Sequence, residues 1–382
     1  MTLPLDHIRV LDLTRLLPGP YCTQLLADFG AEVIKVEDPE IGDYARWYKP
    51  KLGQHSAMFV SLNRNKKSVA LNLKDEHDRQ TFLELVKTAD VLVESFRPGV
   101  MDRLGVGYKT LKTIQPQLVY CAITGYGQMG PYKNKPGHDI NYLSYAGLLH
   151  FQGEKGETPF PPATQIADIG GGGLMAAVGI LLALQSRNKT GKGQFVDISM
   201  TDGVVSWLQT ILPDYLAGHN VQQGELTLSG GKACYAVYET SDNRYLSVGA
   251  LEPKFWKAFC EGIERPDFIQ HLDSPYEVQS KMKAEIKQII RTKTLNEWMA
   301  IFEDLDSCVA PVLTLEEMMD NPQIKHREMI VETDDQLLGK VKQIGIPIKL
   351  SDTPGRIRSQ APALGEHNED ILDQLKNGRN NK

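Results

Sequence analysis

The sequence predicts an α/β protein with a doubly wound parallel sheet and a second, smaller α+β domain. Short apolar segments alternate with helical patterns through the first half of the chain, and this alternation produces a parallel sheet with helices on both faces. A polar, glycine-rich stretch then precedes hairpin and helix patterns. A chain of 382 residues with 41% hydrophobic residues is long enough for two domains.

The chain opens with a β-α-β pattern. Residues 8–13 are a strand candidate, residues 18–29 a helix that Gly30 ends, and residues 32–36 a second strand. Such a Rossmann-like opening often binds a dinucleotide, but the turn TRLLPGPY lacks the G-x-G-x-x-G fingerprint. We therefore exclude NAD and FAD.

Further strands and helices continue this pattern. Strands are expected at residues 68–73, 91–94, 118–124 and 194–200, with helices over residues 76–88 and 201–217. We expect residues 1–200 to begin the large domain, residues 201–231 to form a helix and linker, residues 232–310 the small domain, and residues 311–382 a linker and a return to the large domain.

Cations are candidates for phosphate binding. Arg97 follows a predicted strand directly, where open α/β sheets bind their ligands, although it could instead pair with a nearby acid. Arg46, Arg64 and Lys67 belong to a basic segment that is either solvated surface or a phosphate site.

Composition limits the function classes. A net charge of −6 argues against nucleic-acid binding, and five cysteines without a C-x-x-C pair indicate neither a disulfide framework nor a metal site. The longest apolar run, residues 174–184, is shorter than the roughly 20 residues that span a bilayer. The first residues show no signal-peptide pattern, so we expect a cytoplasmic protein without membrane contact.

Groups able to move protons are concentrated in residues 123–184. His138 and Asp139 are adjacent, and Asp168 precedes four glycines that lead into an apolar helix. A helix N-terminus favours negative charge, because its N–H groups are unpaired and its dipole is positive there. Asp168 is therefore either a helix cap or a catalytic carboxylate.

Three motifs carry a resemblance to a known family. G-Y-G-Q-x-G-P-Y at residues 125–132, G-H-D-I-N-Y at residues 137–142 and A-D-I-G-G-G at residues 167–172 resemble the family III CoA-transferase (CaiB/BaiF) superfamily. The chain is most similar to its α-methylacyl-CoA racemase branch. The resemblance runs from VLDLTRLLPGPY near the start through FRPG to GALEPKFW.

The resemblance implies an active site. His138 and Asp168 would stand on opposite sides of the α-carbon of an acyl-CoA, and Glu252 in GALEP would be a further acidic group. Asp139 counts with the site, unless it only caps a helix. The backbone N–H groups of Gly170, Gly171 and Gly172 would stabilise an enolate oxygen.

The resemblance also implies partners. The large domain would bind CoA, with Arg97 and Arg46 as phosphate ligands and Arg64 and Lys67 as further candidates. CoA is part of the substrate, and no metal or other cofactor is expected. Members of the family form interlocked homodimers, so that Glu252 would serve the partner subunit's site.

Two reactions remain open, with a noncatalytic acyl-CoA-binding protein as a third reading. One is racemisation of a 2-methylacyl-CoA through an enolate, which needs an acid and a base on opposite faces. The other is CoA transfer to a free carboxylate, in which Asp168 would attack the thioester and form an aspartyl-CoA intermediate. Transfer does not require His138 or Glu252, and the loop Ser229-Gly230-Gly231-Lys232 is shorter than the four-glycine run of formyl-CoA transferases.

Overall fold

The computed structural model describes residues 2–53, 55–335 and 339–378. The chain divides into two compact units. We call Met1–Ala146, Thr164–Ser206 and Pro322–Lys382 the large unit, and Gly147–Ala163 with Trp207–Asn321 the small unit. The predicted domain boundaries differ most from those of the two units at residues 147–163. These residues belong to the small unit, where Lys155 pairs with Glu225.

Six parallel strands form the sheet of the large unit. They run in the order β3-β2-β1-β4-β5-β6, which is the doubly wound order 3-2-1-4-5-6. This confirms the predicted fold class. The strands are β1 (Arg9–Leu13), β2 (Glu32–Glu37), β3 (Lys66–Ala70), β4 (Val91–Glu94), β5 (Val119–Thr124) and β6 (Phe195–Ser199).

Both faces of this sheet are buried, which explains why the central strands β4 and β5 are apolar without alternation. Leu11 and Leu92 pack with Phe82 on one face, while Val10 and Val93 point to the other face and are equally buried. The covering elements are α1 (Pro18–Asp28), α2 (Ala57–Leu62), α3 (Glu76–Lys87), α4 (Val100–Arg103), α5 (Tyr108–Ile114), α6 (Asp139–Tyr145), a π-helix (Ile166–Leu174), α7 (Met175–Thr190) and α8 (Met200–Val205).

The π-helix and α7 form one continuous helix, Ile166–Thr190. By length and composition alone it is apolar enough to cross a membrane, because glycine and alanine extend the run beyond the segment noted in the sequence. Half of its most apolar window is buried inside the protein. A core helix of a globular protein meets the same criterion.

A buried charge cluster lies beneath the turn between β1 and α1. Asp12, Lys35 and Lys66 are almost fully buried there. The Asp12 carboxylate accepts hydrogen bonds from Thr23 Oγ1 at 2.6 Å and from Lys66 Nζ at 3.1 Å. Lys35 Nζ donates to the Thr14 carbonyl at 2.8 Å, so the cluster fixes the start of this turn. We call these residues the buried charge cluster.

The small unit is an α+β structure, as predicted. Its three antiparallel strands run in the order β9-β8-β7, and Trp256, Phe259, Trp298 and Phe302 stack in its core. Its elements are α9 (Leu212–Leu216), β7 (Tyr235–Glu239), β8 (Tyr245–Gly249), α10 (Pro253–Gly262), α11 (Tyr276–Ile290), α12 (Leu295–Phe302), β9 (Val309–Pro311) and α13 (Leu315–Asp320).

The helix predicted over residues 201–217 is broken. α8 ends at Val205 and α9 begins only at Leu212, with a short 3-10 turn between them. Pro213 explains the new start, because proline is tolerated in the first turn of a helix and not in its interior.

The C-terminal segment belongs to the large unit and contains α14 (Pro322–His326), the β10–β11 hairpin (Ile330–Asp335 and Gly339–Ile344) and α15 (Asn368–Gly378). It covers the edge strand β3. The His367 N–H donates to the Ser68 carbonyl at 3.0 Å, and the Ala70 N–H donates to Asn368 Oδ1 at 2.8 Å. This edge of the sheet therefore has partners for its backbone groups.

Candidate active site

A cavity of about 740 Å³ lies at the carboxyl ends of the central strands of the large unit. Ligands of doubly wound sheets bind at this edge, where loops after neighbouring strands diverge. Three such loops line the cavity: Arg15 and Leu16 follow β1, Phe96 and Arg97 follow β4, and Gly125 and Tyr126 follow β5.

Asp168 lies in the first turn of the π-helix and lines the cavity. Burial of its carboxyl, and second the negative charge of Asp139, raise its pKa from 3.8 to about 7. Both causes disfavour the ionised form, since burial removes water and the second carboxylate repels charge. Both therefore shift the equilibrium of Asp168 toward the protonated acid.

Asp139 has a different task. Its Oδ1 accepts hydrogen bonds from the N–H groups of Ala167 at 2.7 Å and of Asp168 at 3.0 Å. Asp139 thus caps the N-terminus of the π-helix, which begins 27 residues later, although it is itself the first residue of α6. The carboxylate that perturbs Asp168 also fixes the backbone that carries it.

His138 lines the same cavity as Asp168. It is exposed and precedes α6, and its backbone N–H donates to Asn141 Oδ1 at 3.0 Å. The preceding Gly137 leaves room for an aromatic ring, because a Cβ there would stand 2.7 Å from the Tyr142 ring. The structure therefore brings together the two groups that the sequence proposes for proton transfer.

The glycines Gly170, Gly171 and Gly172 are buried and serve packing. A Cβ on Gly171 would lie 2.6 Å from the Met200 carbonyl oxygen, and one on Gly172 would lie 3.2 Å from Pro18 Cβ. In a π-helix each N–H donates to the carbonyl five residues earlier, so these amides are directed into the helix. The role of these amides as enolate donors stays a prediction.

Of the four cations expected to bind phosphate, Arg97 alone is among the residues that line the cavity. Arg46 donates to both carboxylate oxygens of Glu37, at 2.8 and 2.7 Å. Arg64 donates to Asp28 at 3.0 and 2.7 Å. Lys67 Nζ lies 2.7 Å from Glu32. These three cations are occupied by carboxylates of the large unit, which gives each a structural role instead.

Glu252 belongs to the small unit, whereas every residue that lines the cavity belongs to the large unit. Glu252 is exposed and immediately precedes α10, which starts at Pro253. Among the residues that the structure describes, no group of three or more His, Cys, Asp and Glu side chains could hold a metal ion.

Sequence reasoning missed several residues that line the cavity. Arg15 stands in the turn TRLLPGPY, which carries part of the family resemblance and lacks a dinucleotide fingerprint, but no site role was predicted for it. Lys133 and Lys135 also line the cavity and lie between two of the recognised motifs. Their position beside those motifs was the available signal, because residues that flank a site motif share its loop.

The raised pKa of Asp168 predicts a pH-dependent effect on stability. Its stabilising contribution is fully present below the ordinary pKa of 3.8 and is lost as the pH rises through about 7. Asp168→Asn should therefore raise the melting temperature at pH 8.5 and change it little at pH 4. Partial exposure of the side chain limits the gain to about 1–2 kcal/mol. Equal shifts of the melting temperature at pH 4 and pH 8.5 would contradict this explanation.

At the carboxyl ends of its parallel strands, the large unit thus has a cavity lined by His138, Asp168 and four cations. A family model, CoA-transferase family III, matches residues 5–368. The chain belongs to this family.

Its relatives include enzymes of two kinds. The chain is 36% identical to α-methylacyl-CoA racemase of Homo sapiens, over 97% of this chain and 93% of that protein. It is 33% identical to succinyl-CoA:glutarate CoA-transferase of Mus musculus, over 97% of this chain and 86% of that protein. The crystal structure of a CaiB/BaiF family protein from Brucella suis superimposes with a TM-score of 0.86, at 30% identity, covering 98% and 100% of the two chains.

Proposed function

We propose that the protein is an acyl-CoA racemase or epimerase that interconverts the configuration at C2 of a 2-methylacyl-CoA. The observation that carries the proposal is that His138 and Asp168 line one cavity. Similarity to α-methylacyl-CoA racemases supports it.

The protonation state of Asp168 suits this reaction. Its pKa of about 7 leaves both the acid and the carboxylate populated near neutral pH. A group that must act as base for one enantiomer and as acid for the other works best when its pKa is near the working pH. Imidazole is the other side chain that exchanges protons easily in this range, so His138 is a suitable partner.

The proposed reaction has two proton transfers. One residue removes the C2 proton, and the electron pair of the C–H bond forms the enolate of the thioester. The residue on the opposite face then donates its proton to C2, and the thioester carbonyl re-forms with inverted configuration. The substrate and the product have the same oxidation state, so the reaction requires no redox cofactor.

The runner-up function is transfer of CoA between an acyl-CoA and a free carboxylate. Similarity to succinyl-CoA:glutarate CoA-transferase favours it, and Asp168 would be the nucleophile. We place transfer second because it assigns no role to His138, which lines the same cavity as Asp168.

Incubation of the wild-type protein in deuterated water tests the proposal. We expect both enantiomers of a 2-methylacyl-CoA to gain deuterium at C2 and to converge on one mixture. A second assay with an acyl-CoA and a free carboxylate measures CoA exchange. CoA exchange without deuterium incorporation into any 2-methylacyl-CoA would contradict racemisation and support transfer.

We further propose that the protein is an interlocked homodimer. An exposed apolar stripe along the continuous helix Ile166–Thr190 supports this proposal, because another protein surface normally covers such a stripe. Val178 is 52% exposed and Leu182 is 66% exposed, and Leu174 and Leu181 lie on the same stripe. Residues spaced by three and four positions share one face of a helix.

Interlocked chains predict a single transition. Unfolding and dissociation should coincide at every protein concentration, because threaded subunits cannot separate while they remain folded. Sedimentation measured alongside circular dichroism across a urea series checks this expectation. A folded monomer on dilution would exclude the interlocked arrangement.

A further inference from the structure

A further cavity, of about 250 Å³, lies in the large unit on the side of the sheet that α5 covers. We call it the second cavity. Among the residues that the structure describes, none lines both this cavity and the one that contains His138 and Asp168. A cavity of about 150 Å³ accommodates benzene, so the second cavity is large enough for a small organic molecule. Neither reaction considered above gives its residues a role.

A buried carboxyl group lines the second cavity. Glu94 is the last residue of β4 and is 5% exposed. Its Oε2 accepts a hydrogen bond from the Phe96 N–H at 2.7 Å, and its Oε1 accepts one from the Tyr120 hydroxyl at 3.4 Å. Glu94 is in register with Ala122 of β5, whose small side chain leaves room beside the carboxyl group. The carboxyl group is thus fixed in position.

The surroundings of Glu94 favour a positively charged ligand. Burial raises the pKa of Glu94 to about 7, and the charges of Asp102 and Asp197 add to this effect. A cation beside Glu94 offsets both causes, because it stabilises the ionised carboxylate. Since no three of the described His, Cys, Asp and Glu side chains are grouped to hold a metal ion, an ammonium group with its N–H donors is the better match.

Hydrogen-bond donors also line the second cavity. The Nε2 of Gln128 is buried and has no hydrogen-bond partner within the described part of the chain. A buried donor without a partner is costly, so it requires an acceptor from a ligand. Lys109 lines the same cavity and is exposed, and it adds a positive charge. A carboxylate satisfies both groups.

The position of Gln128 is itself fixed. Its backbone N–H donates to the two carboxylate oxygens of Asp197, at 3.2 and 3.1 Å. Gln128 belongs to the G-Y-G-Q-x-G-P-Y motif at residues 125–132, yet it does not line the cavity that contains His138 and Asp168. The proposed function therefore leaves this member of the motif without a role.

Aromatic rings supply the apolar wall of the second cavity. Tyr108, Tyr120 and Phe195 all line it, and their ring centroids lie 5.2 to 5.6 Å from one another. Rings at such distances present a continuous apolar surface. This surface suits an aliphatic or aromatic side chain.

We propose that the second cavity binds a free amino acid with an apolar side chain. The ammonium group pairs with Glu94, the carboxylate accepts hydrogen bonds from Gln128 and Lys109, and the side chain packs on the aromatic rings. A zwitterion uses the acidic and the donor groups of the cavity together, whereas a simple amine or a simple acid uses only one set. This assignment goes beyond the proposed racemase function and does not depend on it.

Three ligands with the same branched alkyl chain test the proposal. Leucine carries both charged groups, 3-methylbutylamine lacks the carboxylate, and 4-methylpentanoate lacks the ammonium group. Equilibrium dialysis of labelled leucine against the full-length protein at pH 8, with the two analogues as competitors, measures all three affinities. Each analogue should bind at least about tenfold more weakly than leucine, because each has lost a charge-assisted contact.

Two variants assign the contacts. Glu94→Gln should weaken leucine and 3-methylbutylamine about tenfold and leave 4-methylpentanoate unchanged. Gln128→Met should weaken leucine and 4-methylpentanoate about tenfold and leave 3-methylbutylamine unchanged. The unchanged ligand shows in each case that the variant is folded. Asp168→Asn is the matched control, because it alters a carboxyl group of the other cavity and should bind leucine as the wild-type protein does.

Several results would overturn the proposal. Leucine that fails to bind at about 10 mM does so, and so does equal affinity for leucine and 3-methylbutylamine. Unchanged leucine binding in Glu94→Gln shows that leucine lies elsewhere, and loss of leucine binding in Asp168→Asn places it in the other cavity. If Glu94→Gln does not fold, Gln128→Met decides the question with the same three ligands.

Discussion

Alanine in place of His138 is expected to abolish net racemisation while sparing deuterium incorporation into one enantiomer of a 2-methylacyl-CoA. Asp168→Ala is expected to spare the other enantiomer. The reason is geometric: each enantiomer presents its C2 proton to a different side of the cavity, so each loses it to a different residue. The proton transfer that depends on the substituted residue should slow by about 10²–10⁴-fold, which is the usual contribution of a positioned acid or base.

The same two variants distinguish racemisation from CoA transfer, the runner-up function. In CoA transfer Asp168→Ala removes all exchange, whereas His138→Ala has little effect, because the nucleophile alone forms the covalent intermediate. His7→Ala is the control, since the His7 side chain is 70% exposed and does not line the cavity. Equal loss of deuterium incorporation for both enantiomers in both variants would exclude the two-base mechanism.

The second large effect is expected in the buried charge cluster. Lys66→Met should destabilise the protein by ~3–5 kcal/mol, because it leaves Asp12 buried with one fewer cation. Burial raises and the two neighbouring lysines lower the pKa of Asp12, and the net result is a pKa well below its ordinary value. The carboxylate thus stays ionised in the core and depends on its cations.

The adjacent lysine provides a matched control. Lys67 is 34% exposed and pairs with Glu32, so Lys67→Met should cost less than about 1 kcal/mol. Urea unfolding of both variants at one protein concentration gives the comparison. Similar losses for the two lysines would show that burial of the Lys66–Asp12 pair is not what makes Lys66 important.

The central strands β4 and β5 were predictable because burial on both faces gives each of them a short apolar run. The pairing of charged residues was not predictable. Arg64 and Asp28 are 36 residues apart, and a count of cations along the chain does not reveal which of them meets a carboxylate after folding. For this reason the sequence did not show that Arg46 and Arg64 pair with Glu37 and Asp28.

The environment of Asp168 also could not be predicted from the sequence. The motifs identified His138 and Asp168, but local sequence left the role of Asp139 open between a cap and a site residue. The structure shows that Asp139 caps a helix from another segment and also shifts the pKa of Asp168. Such a relation depends on tertiary contacts, which no periodicity encodes.

The return of the C-terminal segment to β3 has a consequence for synthesis. The ribosome makes residues 322–378 after the whole small unit, so β3 cannot gain these partners before the small unit has been translated. The small unit, which ends at Asn321, has all of its residues earlier. Until then the backbone groups of β3 lack the partners that His367 and Asn368 provide, and unpaired strand edges promote aggregation. A chain that stops before residue 322 should therefore be insoluble, even though every residue of the cavity is present.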